Sequence, residues 1–474
     1  MKRNEREKPH VLILWVCLLV FSSLLPLKPA FAITIEEERD LGRKFMAQIQ
    51  TQFELIEDDF AKKFINDLGT YLIAPLETRY FPFRFYLIRN NNLNAFAAPG
   101  GHVFVFSGLV EALDRVDELA SVICHEIGHV SARHLSQRIE MSKKIGLATM
   151  AGVLAGALLG GELAGALTAG SLAAGLQAQL HYSREDERQA DQLGFKYMQA
   201  SGFDPSGMID VLKKIEKEQL YGSNKIPAYL LTHPTGPERM ANLDSLLSRY
   251  APVEIREKVS LFRTDFPLFR TILRAVTLEP SVAEKRFHQD LKDHPEDTLP
   301  HFGLGMVYKA RSEFNQALHH LKEALAAEPD SVPMLKMLAE TFQMKGEDQK
   351  AIVTLEKALK IDDTDKHTLF LLGVSHENLE QYEKAISLFK RLAALKPVGN
   401  DVYYHLGLSL GRLNRLPLAH YNFGIFFKNK HQHEKARFHF RKAEGLAGND
   451  AALKEKIRKE ATDLPPRKGK HLNE

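Results

Sequence analysis

Val116-Asp117-Glu118-Leu119-Ala120-Ser121-Val122-Ile123-Cys124-His125-Glu126-Ile127-Gly128-His129 reads as a single helix. Its lead-in to Cys124 has acidic residues in the opening turn and neither Gly nor Pro. On a helix, residues i and i+4 stack on one face, so His125 and His129 can hold one metal ion. Glu126 sits one residue round, where it can polarise a metal-held water and later carry its proton. Such a short pattern also arises by chance, and a core-facing His pair beside solvated charges is the bland alternative. Other parts of the chain have to agree.

A catalytic metal of this kind needs a third protein ligand and an open position. The longer pattern HExxHxxGxxH would require Gly at 132 and His at 135, where this chain has Ala132 and Leu135. His134 is no substitute: on a continued helix it lies about 140° round from His129, at about 100° per residue. Far downstream, Ser183-Arg184-Glu185-Asp186-Glu187-Arg188-Gln189-Ala190-Asp191-Gln192-Leu193-Gly194 puts Glu187 and Asp191 at i and i+4 of a second expected helix. A ligating carboxylate followed one turn later by an Asp that holds a ligating His suits a metal site.

Together these stretches resemble the HtpX–BepA family of zinc metallopeptidases, which includes the CAAX prenyl proteases. Four matches occur in order: Asn94-Ala95-Phe96-Ala97-Ala98-Pro99-Gly100-Gly101, then HEIGH with Arg133-His134, then Ser183–Gly194, then Thr232-His233-Pro234. Ordered co-occurrence is far more specific than any one motif. The resemblance implies an α+β, mostly α, zincin-like metallopeptidase domain with a small β-sheet. It implies one Zn2+ per chain on His125, His129 and Glu187, with Glu126 as catalytic base and Asp191 orienting a ligand. It also makes Asn94, Ala95, Phe96 and Ala97, with the strand after them, the edge that pairs with an extended substrate. By composition alone, a plain hairpin covering the core fits equally well. Pro234 forces an extended or turn conformation on His233, which places it on a loop. The resemblance offers His233 two roles, filling the open zinc position to hold the enzyme latent or stabilising the oxyanion. A loop His without a role is the third reading. Arg239 also fits the family pattern, with no function legible in the sequence.

With 474 residues the chain has room for two or three domains. Its charge of +3 argues for no nucleic-acid partner. Lys2, Arg3, Arg6 and Lys8 precede an apolar stretch from Val11 to Leu25, and Ala30-Phe31-Ala32 fits a cleavage site. Residues 1–32 therefore read as a cleaved secretory signal peptide with Ile33 as the new N-terminus; an uncleaved membrane anchor is the alternative. Cys17 lies in that leader, which leaves Cys124 as the single thiol, expected as a small buried apolar residue.

The metallopeptidase domain is expected over 33–255. Amphipathic helices fill 33–80, and Phe83–Ile88 and His102–Phe106 are β-rich runs. Between Lys144 and His181 the only charge is Glu162, and Gly recurs at four-residue spacing. This run, 145–180, fits a membrane hairpin or a helical flap over the active site. The small hydrophobicity of Ala and Gly favours the flap, with peripheral membrane contact at most.

Connecting helices and a half-repeat are expected over 256–296, then repeats over 297–450 and a polar tail over 451–474. Ala317, Ala351, Ala385 and Ala419 recur every 34 residues, with Gly305, Ala339, Gly373 and Gly407 in step. Leu321, Leu355, Phe389 and Phe423 follow one turn after each Ala. The array resembles the tetratricopeptide repeat, an α-solenoid, with a last helix around Ala436, Phe440 and Ala443 as cap. The two resemblances together imply a periplasmic zinc endopeptidase that cleaves misfolded or unassembled proteins in outer-membrane protein quality control. Its repeats would recruit protein substrates or envelope assembly proteins. The alternative is a chaperone or scaffold for envelope assembly with a closed, mainly structural zinc centre.

Overall fold

The computed structural model describes residues 33–141, 182–221, 228–234, 236–251, 256–395 and 397–465. The expected leader and the Gly/Ala-rich run 145–180 lie outside the described residues. Among the described residues no helix is long and apolar enough to cross a membrane.

Thr34 starts α1 (Ile35–Gln52) with a capping box: its hydroxyl accepts from the Glu37 N–H, and the Glu37 carboxylate accepts from the Thr34 N–H. Asp58 caps α2 (Asp59–Leu72). Each helix buries one stripe, Leu41, Phe45 and Ile49 on α1 and Phe64, Leu68 and Leu72 on α2. The sheet holds β1 (Arg84–Ile88), β2 (Ala95–Ala98) and β3 (His102–Phe106) in the order β1-β3-β2. β2 is an edge strand, as expected. β3, expected on the same edge, is central instead, because β1 pairs parallel to its other side from Arg84↔His102 to Ile88↔Phe106.

The β2–β3 turn uses Gly100 and Gly101 at φ 82° and 84°, a conformation costly for other residues. α1 crosses this turn so closely that a Cβ on Gly42 would lie 2.3 Å from the Pro99 carbonyl oxygen. Gly42→Ala is therefore expected to cost about 1–3 kcal/mol of stability. A urea midpoint equal to that of the unsubstituted protein would show that the contact relaxes freely.

α3 (Ser107–Ala112), α4 (Val116–Ser131), α5 (His134–Met141), α6 (Arg184–Ser201), α7 (Gly207–Tyr221), α8 (Ala228–Thr232) and α9 (Pro237–Leu247) follow. α10 (Glu257–Thr277) then joins this unit to the repeats. Its Phe262, Phe266 and Phe269 pack on Phe64 of α2, the closest ring pair having centroids 4.3 Å apart. One apolar core continues from α2 through α10 into the repeat helices, so the array is docked on the N-terminal unit. His367 of the array also pairs with Asp59 of α2 at 2.9 Å.

The array follows α11 (Pro280–Asp293) and runs α12 (Leu299–Ala310), α13 (Phe314–Ala327), α14 (Val332–Met344), α15 (Asp348–Ile361), α16 (Lys366–Asn378) and α17 (Tyr382–Ala394). It continues with α18 (Asp401–Arg412), α19 (Leu416–Asn429), α20 (His433–Leu446) and α21 (Ala451–Thr462). The periodic residues Ala317, Ala351, Ala385, Leu321, Leu355 and Phe389 are wholly buried between paired helices. The expected polar tail is corrected at its start. Residues 451–462 form α21, capped by Asp450, with Leu453 and Ile457 packed on Ala436 and Phe440. Two apolar residues one turn apart in a Lys- and Glu-rich run are a faint signal until α20 offers a surface.

Candidate metal centre

α4 carries His125, Glu126 and His129, and α6 carries Glu187 and Asp191. Every residue of α4 from Val116 to His129 is buried. Carboxylates pin its first turn: Glu118 accepts from the Asp114 N–H at 2.7 Å, and Asp117 from the Asp204 N–H at 2.8 Å. Ser183 and Asp186 form a capping box at the start of α6, and Gly202 ends it at φ 80°. The two helices cross closely because each sets a glycine against the other's backbone. A Cβ on Gly128 would lie 2.8 Å from the Ala190 carbonyl oxygen, and one on Gly194 3.2 Å from the His125 nitrogen. That close crossing brings the two distant motifs together.

His125, His129, Glu187 and His233 are all buried, and each points one ligand atom into a space where those atoms lie within 4.8 Å of one another. Nε2 of His125 is 3.0 Å from Nε2 of His129 and 3.4 Å from Nδ1 of His233. Oε1 of Glu187 is 3.0 Å from Nδ1 of His233 and 3.4 Å from Nε2 of His129. Tetrahedral ligands about 2.0–2.1 Å from a Zn2+ stand about 3.3–3.4 Å apart, so these donors fit the corners around one such ion. His233 follows the single turn of α8, its N–H donating to the Tyr229 carbonyl at 2.9 Å and its ring stacked on Tyr229 at 4.5 Å.

Glu126 is fully buried beside this cluster, and among the described residues neither carboxylate oxygen has a hydrogen-bond partner of ordinary geometry. Its polar neighbours are the Ala97 N–H of β2 and Nε2 of His233, at 3.5 Å from Oε1. Burial raises its carboxyl above the usual carboxylate range, against the pull of His233 and His125. Glu187 behaves oppositely. Burial works to raise it, but His233, Arg239 and the hydrogen bonds from the other histidines hold it well below the ordinary value. Two buried carboxyls pushed apart in this way suit different chemical tasks.

Asp191 lies where the sequence put it, with Oδ1 2.9 Å from Nδ1 of His125, which leaves Nε2 of that ring free for a metal. Arg239, without a role in the sequence reading, grips the two buried carboxylates of α6, Glu187 and Asp191. Its Nε and Nη2 donate to Asp191 at 2.7 and 2.9 Å, and its Nη1 stands 2.7 Å from Oε2 of Glu187. Tyr182 stacks on His129 at 3.9 Å, and nothing in the sequence pointed to it. Cys124 is buried, and desolvation pushes its thiol up and out of reactive range.

Two His on one helix, a Glu from a second helix and an adjacent free carboxylate define a metallopeptidase site. Residues 61–247 match Peptidase family M48, and 308–367 and 370–420 match tetratricopeptide repeats. The chain thus carries an M48-type peptidase domain, that of a metalloendopeptidase, with tetratricopeptide repeats behind it. It is 29% identical over 370 residues to a beta-barrel assembly-enhancing protease of Yersinia pestis, covering 77% of this chain and 75% of that one. The protein of that name from Escherichia coli is 29% identical over 335 residues, 69% of this chain and 67% of the relative. A mitochondrial metalloendopeptidase OMA1 of Schizosaccharomyces pombe is 30% identical over 190 residues, 39% and 52% of the two chains.

Proposed function

We propose that this protein is a zinc-dependent endopeptidase of the periplasm that removes misfolded or unassembled outer-membrane proteins. The observation that carries the peptidase chemistry is the buried four-donor cluster beside a carboxylate whose oxygens have no ordinary hydrogen bond among the described residues. Three nitrogens and a carboxylate at tetrahedral spacing suit Zn2+. The ion, when bound, supplies Lewis acidity and makes water acidic enough to attack a peptide carbonyl at neutral pH. Glu126 takes the proton of the attacking water and passes it to the leaving amine. β2 offers the substrate an edge: its Ala97 N–H faces Glu126, so a peptide paired there has its carbonyl near the base. The envelope setting and the class of substrate are carried over from the relatives named for β-barrel assembly, and the repeats are the surface for recruiting such proteins.

His233 decides whether the centre is open. Three protein donors leave a place for substrate or water, whereas four close it. With Nδ1 at the fourth corner, His233 acts as a latch, and swinging it away admits substrate. His233→Ala is expected to keep one metal per chain and to raise basal cleavage of casein several-fold. An unchanged or lower rate at full metal loading would sink the latch. The same four-donor closure favours a second reading, a chaperone or scaffold with a mainly structural zinc. Normal outer-membrane assembly in cells whose only copy carries Glu126→Gln would favour it.

A further inference from the structure

α4 does not run on through His134. It ends at Ser131, Arg133 takes φ 55°, and α5 begins at His134. The left-handed residue is unusual for a non-Gly side chain, and α1 holds it there: Arg133 Nη2 donates to Glu38 at 2.9 Å and to the Ile33 carbonyl at 2.8 Å. Ser136 also donates to Glu38, which is itself buried. This turn folds the ring of His134 back against His129. Nδ1 of His134 lies 3.0 Å from Nδ1 of His129, and its Nε2 lies 2.9 Å from Oε1 of Gln189 on α6.

We infer that His134 is a positioning residue that sets the tautomer and orientation of His129 for metal binding, with Gln189 setting the tautomer of His134. The inference rests on the reading of His129 as a metal ligand. An amide oxygen only accepts, so Gln189 keeps the proton of His134 on Nε2. Nδ1 of a neutral His134 is then an acceptor, and it takes the Nδ1–H of His129. That leaves the lone pair of His129 Nε2 directed into the cluster, as a ligand requires. His125 gets the same service from a carboxylate, Asp191. His129 gets it from an imidazole, so the site gains orientation without a further buried carboxyl beside those of Glu126, Glu187 and Asp191.

Asn and Leu at 134 separate this role from simple packing. Their side chains are nearly equal in size, but Asn can place an amide oxygen close to the position of Nδ1. In a pocket where His134 is only 2% exposed, packing alone would favour Leu. The relay predicts the reverse order. Metal affinity of the full chain is read by competition with a chromophoric zinc chelator, after thermal melts of the metal-free forms show each variant folded. His134→Leu is expected to weaken binding about 10–100-fold, the usual range for removing a group that orients a metal ligand. His134→Asn is expected to stay within about fivefold of the unsubstituted protein. Equal affinity in the Leu and Asn variants, or tighter binding by the Leu variant, overturns the relay. If the unsubstituted protein takes up no metal, the metal-centre reading fails first, and the relay with it.

Discussion

Glu126→Gln is expected to cut hydrolysis of an unfolded protein by about 10²–10⁴-fold, the contribution usual for a positioned acid–base group, while leaving metal content unchanged. The side chain is fully buried and near the four donors without being one of them. Its amide has the same shape as the carboxylate and cannot accept the proton of an attacking water. Because neither Glu126 oxygen has a hydrogen-bond partner of ordinary geometry among the described residues, the substitution breaks no strong bond. Stability is expected to hold nearly constant, since the lost attraction to His233 at 3.5 Å is offset by relief of the buried carboxyl's desolvation. The measurement is casein turnover by protein with its zinc content determined. Turnover near the unsubstituted rate at full zinc would move the base to another residue. Loss of zinc together with activity would mean that Glu126 is a structural member of the centre.

The peptidase motifs were legible because each follows a helical period. His125 and His129, and Glu187 and Asp191, are i and i+4 pairs, and one turn of helix is local geometry. How the two helices meet is not local. It depends on Gly128 and Gly194 leaving the crossing free, and neither glycine announces that alone. A continued helix would turn His134 about 140° away from His129, but the left-handed Arg133 breaks the helix, and that residue depends on Glu38, 95 residues away in sequence. Arg239 was visible as a match but silent as chemistry, because its role is to neutralise carboxylates that only the fold places beside it. The repeat array was the most legible part. Its period requires only neighbour-to-neighbour contacts, and the one error, the start of the tail, falls at the end where the period stops.

Arg239→Leu carries the largest expected effect on stability. The guanidinium lies between two carboxylates whose side chains are 2% and 4% exposed, Glu187 and Asp191. Removing one partner of a buried ion pair leaves its counter-charge uncompensated, which costs about 3–5 kcal/mol. In the metal-free protein His125, bonded to Asp191 at 2.9 Å and pushed up to about 9 against burial by its bonds to Asp191 and Glu187, keeps one counter-charge beside that carboxylate, so the lower end of this range is expected there. A divalent cation held by Glu187 replaces part of the lost charge, and zinc should therefore narrow the gap between variant and unsubstituted protein. The pH dependence has a definite sign. Both carboxyls are held below their ordinary value in the fold, against the opposing effect of burial. Their contribution is thus full above the unfolded value of about 4 and is lost as pH falls through the lower folded value. Without Arg239 that depression shrinks, so the stability gap is greatest near neutrality and closes on acidification. Urea midpoints at pH 7 with and without zinc, and at pH 7 and pH 3 without it, test all three parts. A neutral-pH gap below about 1 kcal/mol, or one that widens toward pH 3, would mean that Arg239 is a surface-like pair of little weight and not the cation on which Glu187 and Asp191 depend.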